Sequence, residues 1–215
     1  MLSLIYSTLI DALFPLHPGE RWLLSVSVEE AIRSLPRSKQ SSVPESFAVF
    51  SYKDERVQRL VWSLKYKKSA AAAAVACAAL ERHIIRSAFS KSTPHIVVVP
   101  IPVSKQRRRE RGFNQCELIV DGFRSSDFYT VEKNLLVRSK HTNRQTLKDK
   151  TEREEMRDIF TVNENAATRL LQEHSGQNLL VIVIDDVVTT GATMKAAVSC
   201  LRAAGFNAWG LSVAH

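Results

Sequence analysis

Two acids and a threonine-rich loop follow one apolar stretch of the chain, and their spacing suits the binding of a sugar phosphate. Residues 181–184 are Val-Ile-Val-Ile, a pattern typical of a buried strand in a parallel sheet. Asp185 and Asp186 come next. A loop then leads into a helical pattern, and it consists of Thr189, Thr190, Gly191, Ala192 and Thr193.

The position of this loop predicts an anion site. Ligands of open α/β sheets bind at the carboxyl ends of the strands, where a helix N-terminus offers free backbone N–H groups to a phosphate. Because Asp185 and Asp186 would repel a phosphate, they fit the hydroxyls of the attached sugar or a divalent metal beside it. Asp and Thr also serve as helix caps, which would explain any two of these residues but not the whole run.

A strongly basic segment follows another predicted strand, at 96–99. It opens with Pro100-Ile101-Pro102, and five of the seven residues from 105 to 111 are cations. We predict that this segment is a loop at the same edge of the sheet, where it would neutralise a departing pyrophosphate. A solvated surface loop and a nucleic-acid contact are the alternatives.

The remaining pattern predicts an α/β fold with a parallel sheet. From residue 93 onwards, strands alternate with helices, as crossover connections require. We expect strands at 46–52, 96–99, 134–137, 159–162, 179–184 and 208–213, and helices at 54–66, 69–87, 114–123, 166–174 and 194–204. Residues 1–45 are predicted to form a small appendage that ends in an exposed linker at 35–44, and residues 46–215 the main domain.

Composition restricts the class of protein further. The 215 residues include 30 Lys and Arg against 22 acids, a net charge of +8 that implies anionic ligands without choosing among them. Cys77, Cys116 and Cys200 are far apart, which argues against a disulfide framework and fits a reducing cytoplasm. Residues 1–10 are predicted to form a short amphipathic helix rather than a signal peptide, and no run is long enough to span a membrane. We therefore expect a cytoplasmic protein without membrane contact.

The run from 181 to 193 resembles the signature of the type I phosphoribosyltransferases, which bind 5-phosphoribosyl-1-pyrophosphate. Other segments are similar to the ComF-type branch of that family, named for a protein of bacterial competence. They are Pro100-Ile101-Pro102, Arg111-Gly112-Phe113-Asn114-Gln115, Leu64-Lys65-Tyr66, Thr142-Asn143-Arg144-Gln145 and the Leu-Phe-Pro segment at 13–15. The resemblance thus covers most of the chain and implies a type I phosphoribosyltransferase fold.

The resemblance also implies roles for individual residues. Asp185 and Asp186 would hold the ribose hydroxyls, directly or through Mg²⁺, and together with Arg111 they form the expected catalytic set. Residues 189–193 would hold the 5-phosphate. The pyrophosphate would meet Ser104, Lys105 and Arg111. Arg144 and Lys148 would belong to a lid, at 138–153, that closes over the site and excludes water.

One departure from the family concerns zinc. Members usually carry cysteine pairs for a zinc site directly after the Leu-Phe-Pro segment, whereas here His17, Pro18 and Gly19 follow and Cys77 is the first cysteine. A closed zinc site needs four ligands, so we expect no zinc. Residues 1–45 are interpreted as the remnant of a zinc-ribbon region.

Three functions remain open at this stage. The chain is a phosphoribosyltransferase with an unidentified acceptor, a regulator that binds phosphoribosyl pyrophosphate without transfer, or a nucleic-acid-handling protein linked to DNA uptake. In the last case Arg107, Arg108 and Arg109 would contact single-stranded nucleic acid. The sequence leaves the oligomeric state undetermined.

Overall fold

A computed structural model describes residues 17–39, 45–88, 94–123, 129–139 and 159–215. Its helices are α1 Pro18–Ser25, α2 Val28–Ser34, α3 Glu55–Tyr66, α4 Ala70–Ala88, α5 Lys105–Arg111, α6 Gln115–Val120, α7 Glu164–Glu173 and α8 Ala192–Ala203. Its strands are β1 Ser46–Phe50, β2 His95–Pro100, β3 Tyr129–Val131, β4 Leu136–Arg138, β5 Phe160–Val162, β6 Leu179–Val187 and β7 Asn207–Ala214.

Five strands form one parallel sheet in the order β1-β7-β6-β2-β3, which confirms the predicted α/β fold class. The central strand β6 runs further than predicted. Asp185 pairs with Ser212 and Val187 with Ala214 of β7, so the strand continues through both acids. Consequently the acids lie within the last residues of the strand rather than in the loop beyond it.

The sheet separates two apolar cores, and β6 contributes to both. Ile182 and Ile184 pack into a first core with helices α1 to α4 and α6, whereas Val181 and Val183 pack into a second core with α7 and α8. Successive strand residues point to opposite faces. The uninterrupted apolar run of β6 is therefore explained by burial on both sides.

The segment at 35–39 is exposed at Pro36, Arg37 and Lys39, as predicted for a linker, but its backbone is also bonded to the sheet. Leu35 is buried, the N–H of Ser38 donates to the carbonyl of Val49 at 3.0 Å, and the N–H of Ser51 donates to that of Pro36 at 2.9 Å. Edge strand β1 leaves backbone groups unpaired, and this segment satisfies them. Residues 40–44 of the predicted linker, and the predicted helix at 1–10, lie outside the described residues.

The basic segment is a helix rather than the predicted loop. Ser104 caps α5 by accepting from the N–H of Arg107 at 3.2 Å, and Gly112 ends it with a φ of 78° that suits glycine. Lys, Arg, Gln and Glu are all good helix formers, so the composition of this segment favours a helix as well as a high charge. The helical backbone consequently sends neighbouring arginines in different directions.

The strand predicted at 134–137 also differs. Leu136–Arg138 forms β4, which pairs antiparallel with β5 in a separate two-stranded sheet, while the unpredicted β3 occupies the edge of the main sheet beside β2. Across the described parts of the chain, none of the helices has the length and apolar character needed to cross a bilayer.

Candidate functional site

A polar cavity of about 400 Å³ opens at the carboxyl ends of β2 and β6. Its walls come from helix α3, the β2–α5 connection, β4 and the β6–α8 loop, which are far apart in the sequence. The lining residues are Lys65, Ile101, Pro102, Val103, Ser104, Arg107, Gln115, Arg138, Asp185, Asp186, Val187, Thr189 and Thr193.

Asp186 is the most buried acid of this cavity. Its Oδ1 accepts a hydrogen bond from Gln115 Nε2 at 3.0 Å, and its Oδ2 forms an ion pair with Lys65 Nζ at 2.8 Å. Only 3% of its side chain is exposed, and 20% of that of Lys65. Oδ1 is therefore hydrogen-bonded by α6, whereas Oδ2 is close to the ammonium group that α3 supplies but lacks a partner with hydrogen-bond geometry among the described residues.

Asp185 lies half-buried beside it and faces the cavity. Its Oδ1 accepts from the backbone N–H of Asp186 at 2.8 Å and from Cys116 Sγ at 3.5 Å. Burial, and then the charge of Asp186, raises the pKa of Asp185 to about 8. Burial and the two acids likewise raise the pKa of the Cys116 thiol well above its ordinary value, so Cys116 remains a neutral donor.

The predicted phosphate loop leads directly into α8. Gly191 occupies the N-cap position with a φ of 78°, and Thr189 and Thr193 line the cavity. No side chain caps this helix end, so the first backbone N–H groups of α8 have no side-chain acceptor there. Thr190 is exposed and Ala192 half-buried, and neither belongs to the cavity wall.

The cations that face the cavity differ from those predicted. Lys65, Arg107 and Arg138 line it, and the predicted Ser104 does as well. Lys105 is exposed at the start of α5 and does not belong to the lining. The predicted Arg111 contacts the acid pair only indirectly. Its Nη1 donates to Gln115 Oε1 at 3.0 Å, and Gln115 Nε2 in turn donates to Asp186 Oδ1.

The other predicted basic residues have separate surroundings. Arg108 makes a two-pronged ion pair with Glu117 at 2.9 and 3.0 Å, and Arg109 is exposed. Arg144 and Lys148 lie outside the described residues. His17, which follows the Leu-Phe-Pro segment, caps α1 by accepting from the N–H of Gly19 at 3.2 Å.

The site also contains a group of potential metal ligands. One atom each from Cys116, Asp185 and Asp186 lies within 4.8 Å of the others. Hard cations such as Mg²⁺ prefer the carboxylate oxygens, whereas the protonated thiol of Cys116 is a poor ligand for them. Asp185 is the better placed acid, since Asp186 already holds Lys65.

Comparison with known proteins gives a relative that matches part of the chain. No protein-family model matches the chain. The chain is similar to Competence protein ComFC of Bacillus subtilis (strain 168), with 40% identity over 122 residues. The match covers 55% of this chain and 44% of the relative, so the chain spans less than half the length of that curated protein.

Sequence reasoning missed three of the residues that form this site. Lys65 and Gln115 stand within segments already noted for their family resemblance, 64–66 and 111–115, but neither had been given a role. Spacing along the chain cannot show that α3 places Lys65 against Asp186. Arg138 begins the segment 138–153 that is expected to form the lid, but its place in the cavity wall depends on the unpredicted pairing of β4 with β5.

Proposed function

We propose that this cavity binds 5-phosphoribosyl-1-pyrophosphate with Mg²⁺ and that the chain transfers the phosphoribosyl group to an acceptor. One observation carries the proposal: a helix N-terminus with two threonines, an acid pair and three cations line a single polar cavity at the carboxyl ends of parallel strands. These groups match the phosphate, the ribose and the pyrophosphate of one ligand. The similarity to a competence protein is consistent with the resemblance to ComF-type phosphoribosyltransferases.

The β6–α8 loop is the proposed site of the 5-phosphate. Thr189 and Thr193 line the cavity, and the uncapped N-terminus of α8 adds backbone N–H donors and a positive dipole end. At Gly191, φ is 78°, a conformation that lets the backbone turn tightly beside the anion.

Lys65, Arg107 and Arg138 form the proposed pyrophosphate site. Arg107 and Arg138 line the same cavity, and burial, followed by the positive charge of Arg107, lowers the pKa of Arg138. An anion placed between them relieves this repulsion. As a nucleophile forms a bond to the anomeric carbon, the bond from that carbon to the pyrophosphate oxygen breaks, and its electron pair leaves with pyrophosphate. The three cations stabilise the charge that accumulates there.

The two acids take different parts in this proposal. Asp185 faces the cavity and would contact the ribose hydroxyls or hold Mg²⁺, whose chemistry is to neutralise pyrophosphate oxygens. Asp186 fixes Lys65 and Gln115 and joins the ligand only if Lys65 moves towards the pyrophosphate. The expected role of Arg111 becomes indirect, since it positions Gln115 rather than lining the cavity.

The test of catalysis is pyrophosphate release from phosphoribosyl pyrophosphate with a panel of bases, amines and ammonia. We expect release with at least one acceptor and loss of release in Asp185→Asn. If the ligand binds but no acceptor in a broad panel gives release, the protein is a regulator that binds this ligand without transfer.

A second candidate function, the handling of single-stranded nucleic acid, is favoured by a surface cluster on α3. Tyr66 is 59% exposed, and the guanidinium of Arg111 lies 5.3 Å from the centroid of its ring. The guanidinium of Arg59 and the ammonium of Lys67 lie 5.6 Å and 5.4 Å from the ring centroid of Trp62. Aromatic rings next to cations form stacking platforms for unpaired bases. Of the predicted contacts Arg107, Arg108 and Arg109, the first faces the cavity and the second is tied to Glu117.

This candidate predicts binding that falls steeply with salt concentration. Trp62→Ala should weaken the binding of an oligonucleotide by about tenfold. Lack of oligonucleotide binding at low salt would remove this function.

A further inference from the structure

A second cavity, of about 330 Å³, lies at the opposite ends of the strands from the polar one. It is bounded by the first residues of β1, β2, β6 and β7 and by the C-terminal part of α4. Its walls are mostly apolar and include Phe47, Ile84, Ile96, Leu180, Ile182 and Trp209. A volume of this size accommodates a small organic molecule.

Two aromatic rings form one side of this apolar cavity. Phe47 and Trp209 stack with their ring centroids 5.9 Å apart and their planes 19° apart, and the ring of His83 lies 5.8 Å from that of Phe47. Phe47 is 42% exposed, which is unusual for a residue of its size beside a core. The guanidinium of Arg202 lies over the ring of Trp209 at 5.5 Å, so Phe47 offers the more open aromatic face. An open aromatic face favours a planar ring as a ligand, because stacked rings stabilise each other beyond simple burial.

The polar groups around the apolar cavity favour an anion. Burial, followed by the charges of Arg37 and Arg86, lowers the pKa of His83, so its imidazole is neutral at pH 7 with one donor and one acceptor. Within the described ranges, His83 has no hydrogen-bond partner, and neither Arg37 nor Arg86 has a carboxylate at ion-pair distance. His83 lines the cavity, and Arg86 follows it by three residues on the same helix, next to the lining residue Ser87. The guanidinium of Arg37 lies over the ring of Phe50, 5.3 Å from its centroid. The helix therefore places one unpaired guanidinium beside the imidazole.

We infer that the apolar cavity is a binding site for a small planar aromatic anion. The ring of the ligand would lie against Phe47, its polar edge would reach His83, and its negative group would face Arg86. This inference does not rest on the proposed phosphoribosyl chemistry, because the two cavities share no lining residue among those that the structure describes.

Fluorescence titration with 8-anilinonaphthalene-1-sulfonate tests the inference, since this probe carries both an aromatic ring system and a negative group. We expect saturable binding to one site that inorganic pyrophosphate does not displace. N-phenyl-1-naphthylamine, which has the same rings without the sulfonate, should bind several-fold more weakly. Equal binding of the two probes, or displacement by pyrophosphate, would overturn the inference.

Three substitutions locate the probe. Phe47→Ser should weaken binding of the sulfonate by about fivefold, and Ser87→Trp, at an exposed lining position, should block the cavity. Arg86→Gln, on the exposed helix surface, should weaken the sulfonate about threefold and leave the uncharged probe unchanged. Leu171→Ser is the matched control, because Leu171 is 54% exposed on α7 and outside the cavity.

Circular dichroism and sedimentation complete the design. Should Ser87→Trp fail to fold, Arg86→Gln and Phe47→Ser still test the site. If the variants that fold bind the sulfonate probe as tightly as the wild type does, the probe binds outside this cavity and the inference is contradicted. A wild-type dimer that Ser87→Trp converts to a monomer would show that a second copy covers the cavity, and this too would contradict the inference.

Discussion

The polar and the apolar cavity lie at opposite ends of one parallel sheet, and strand β6 lines both. It contributes Leu180 and Ile182 to the apolar cavity and Asp185 and Asp186 to the polar one. Among the described lining residues, the polar cavity pairs a cation with a carboxylate, Lys65 with Asp186, whereas the lining of the apolar cavity contains neither a carboxylate nor a lysine or arginine. In the two proposals, cations alone do not define a site: the acids at the strand end would select a sugar phosphate, whereas an open aromatic ring would select a planar ligand.

The largest expected effect concerns the buried ion pair that distinguishes the polar cavity. Lys65→Met leaves Asp186 buried without its counter-charge, which should lower the free energy of unfolding by about 3 kcal/mol. The double variant Lys65→Met, Asp186→Asn should recover most of this loss, because the uncompensated charge is gone. Urea denaturation of the wild type, both single variants and the double variant measures the coupling.

Full additivity of the two single substitutions would contradict this account. It would mean that the 2.8 Å contact between Lys65 Nζ and Asp186 Oδ2 contributes no energy of its own. The polar cavity would then hold a cation that has no energetically coupled partner.

The next largest effect separates two neighbouring arginines. Arg107→Gln removes a cation that faces the polar cavity and should weaken binding of phosphoribosyl pyrophosphate by about 10- to 100-fold, the contribution of a charge-assisted hydrogen bond. Arg108→Gln is the matched control, since Arg108 is paired with Glu117 on the same helix and should change the affinity less than about twofold. Equal losses in both variants, measured by calorimetry, would show that only the general charge of α5 matters.

A smaller effect is expected from pH. Because the pKa of Asp185 is raised to about 8, its carboxyl group is mostly protonated at pH 7 and ionises as the pH rises towards 9. If the carboxylate holds Mg²⁺ or ribose hydroxyls, Mg²⁺-dependent affinity should increase by up to about tenfold over this interval. Asp185→Asn should remove the increase, and an unchanged slope in that variant would assign the titration to another group.

The smallest expected effects are the cross-controls between the cavities. Phe47→Ser should leave the affinity for phosphoribosyl pyrophosphate within about twofold, and Arg107→Gln should do the same for the aromatic sulfonate probe. Coupling in either direction, detected by titrating each variant with both ligands, would show that the two ends of the sheet do not act independently.

Local patterns explain what the sequence predicted well. The apolar run of β6 and the loop at 189–193 were recognisable because burial on both faces and a strand-to-helix turn are encoded by adjacent residues. The amphipathic spacing of α3 was likewise visible, with Val57, Leu60 and Leu64 buried as expected. These elements fix the sheet and half of the polar cavity.

The rest of the site depends on contacts between distant segments. Lys65 and Asp186 are separated by 121 residues and meet only because α3 packs beside the end of β6. The high charge of the segment at 105–111 suggested a loop with five equivalent cations. The segment is helix α5 instead, and its arginines point in different directions and have different partners. No sequence feature marked the apolar cavity, whose walls come from four strands and a helix.

Calorimetric titration with phosphoribosyl pyrophosphate, with and without Mg²⁺, tests the central claim most directly. Several charge-assisted hydrogen bonds should give micromolar affinity, about −8 kcal/mol, in the presence of Mg²⁺ and clearly weaker binding without it. The Arg107→Gln variant in the same experiment links any heat to the polar cavity. Absence of heat and of a thermal shift at millimolar ligand with Mg²⁺ would contradict the account.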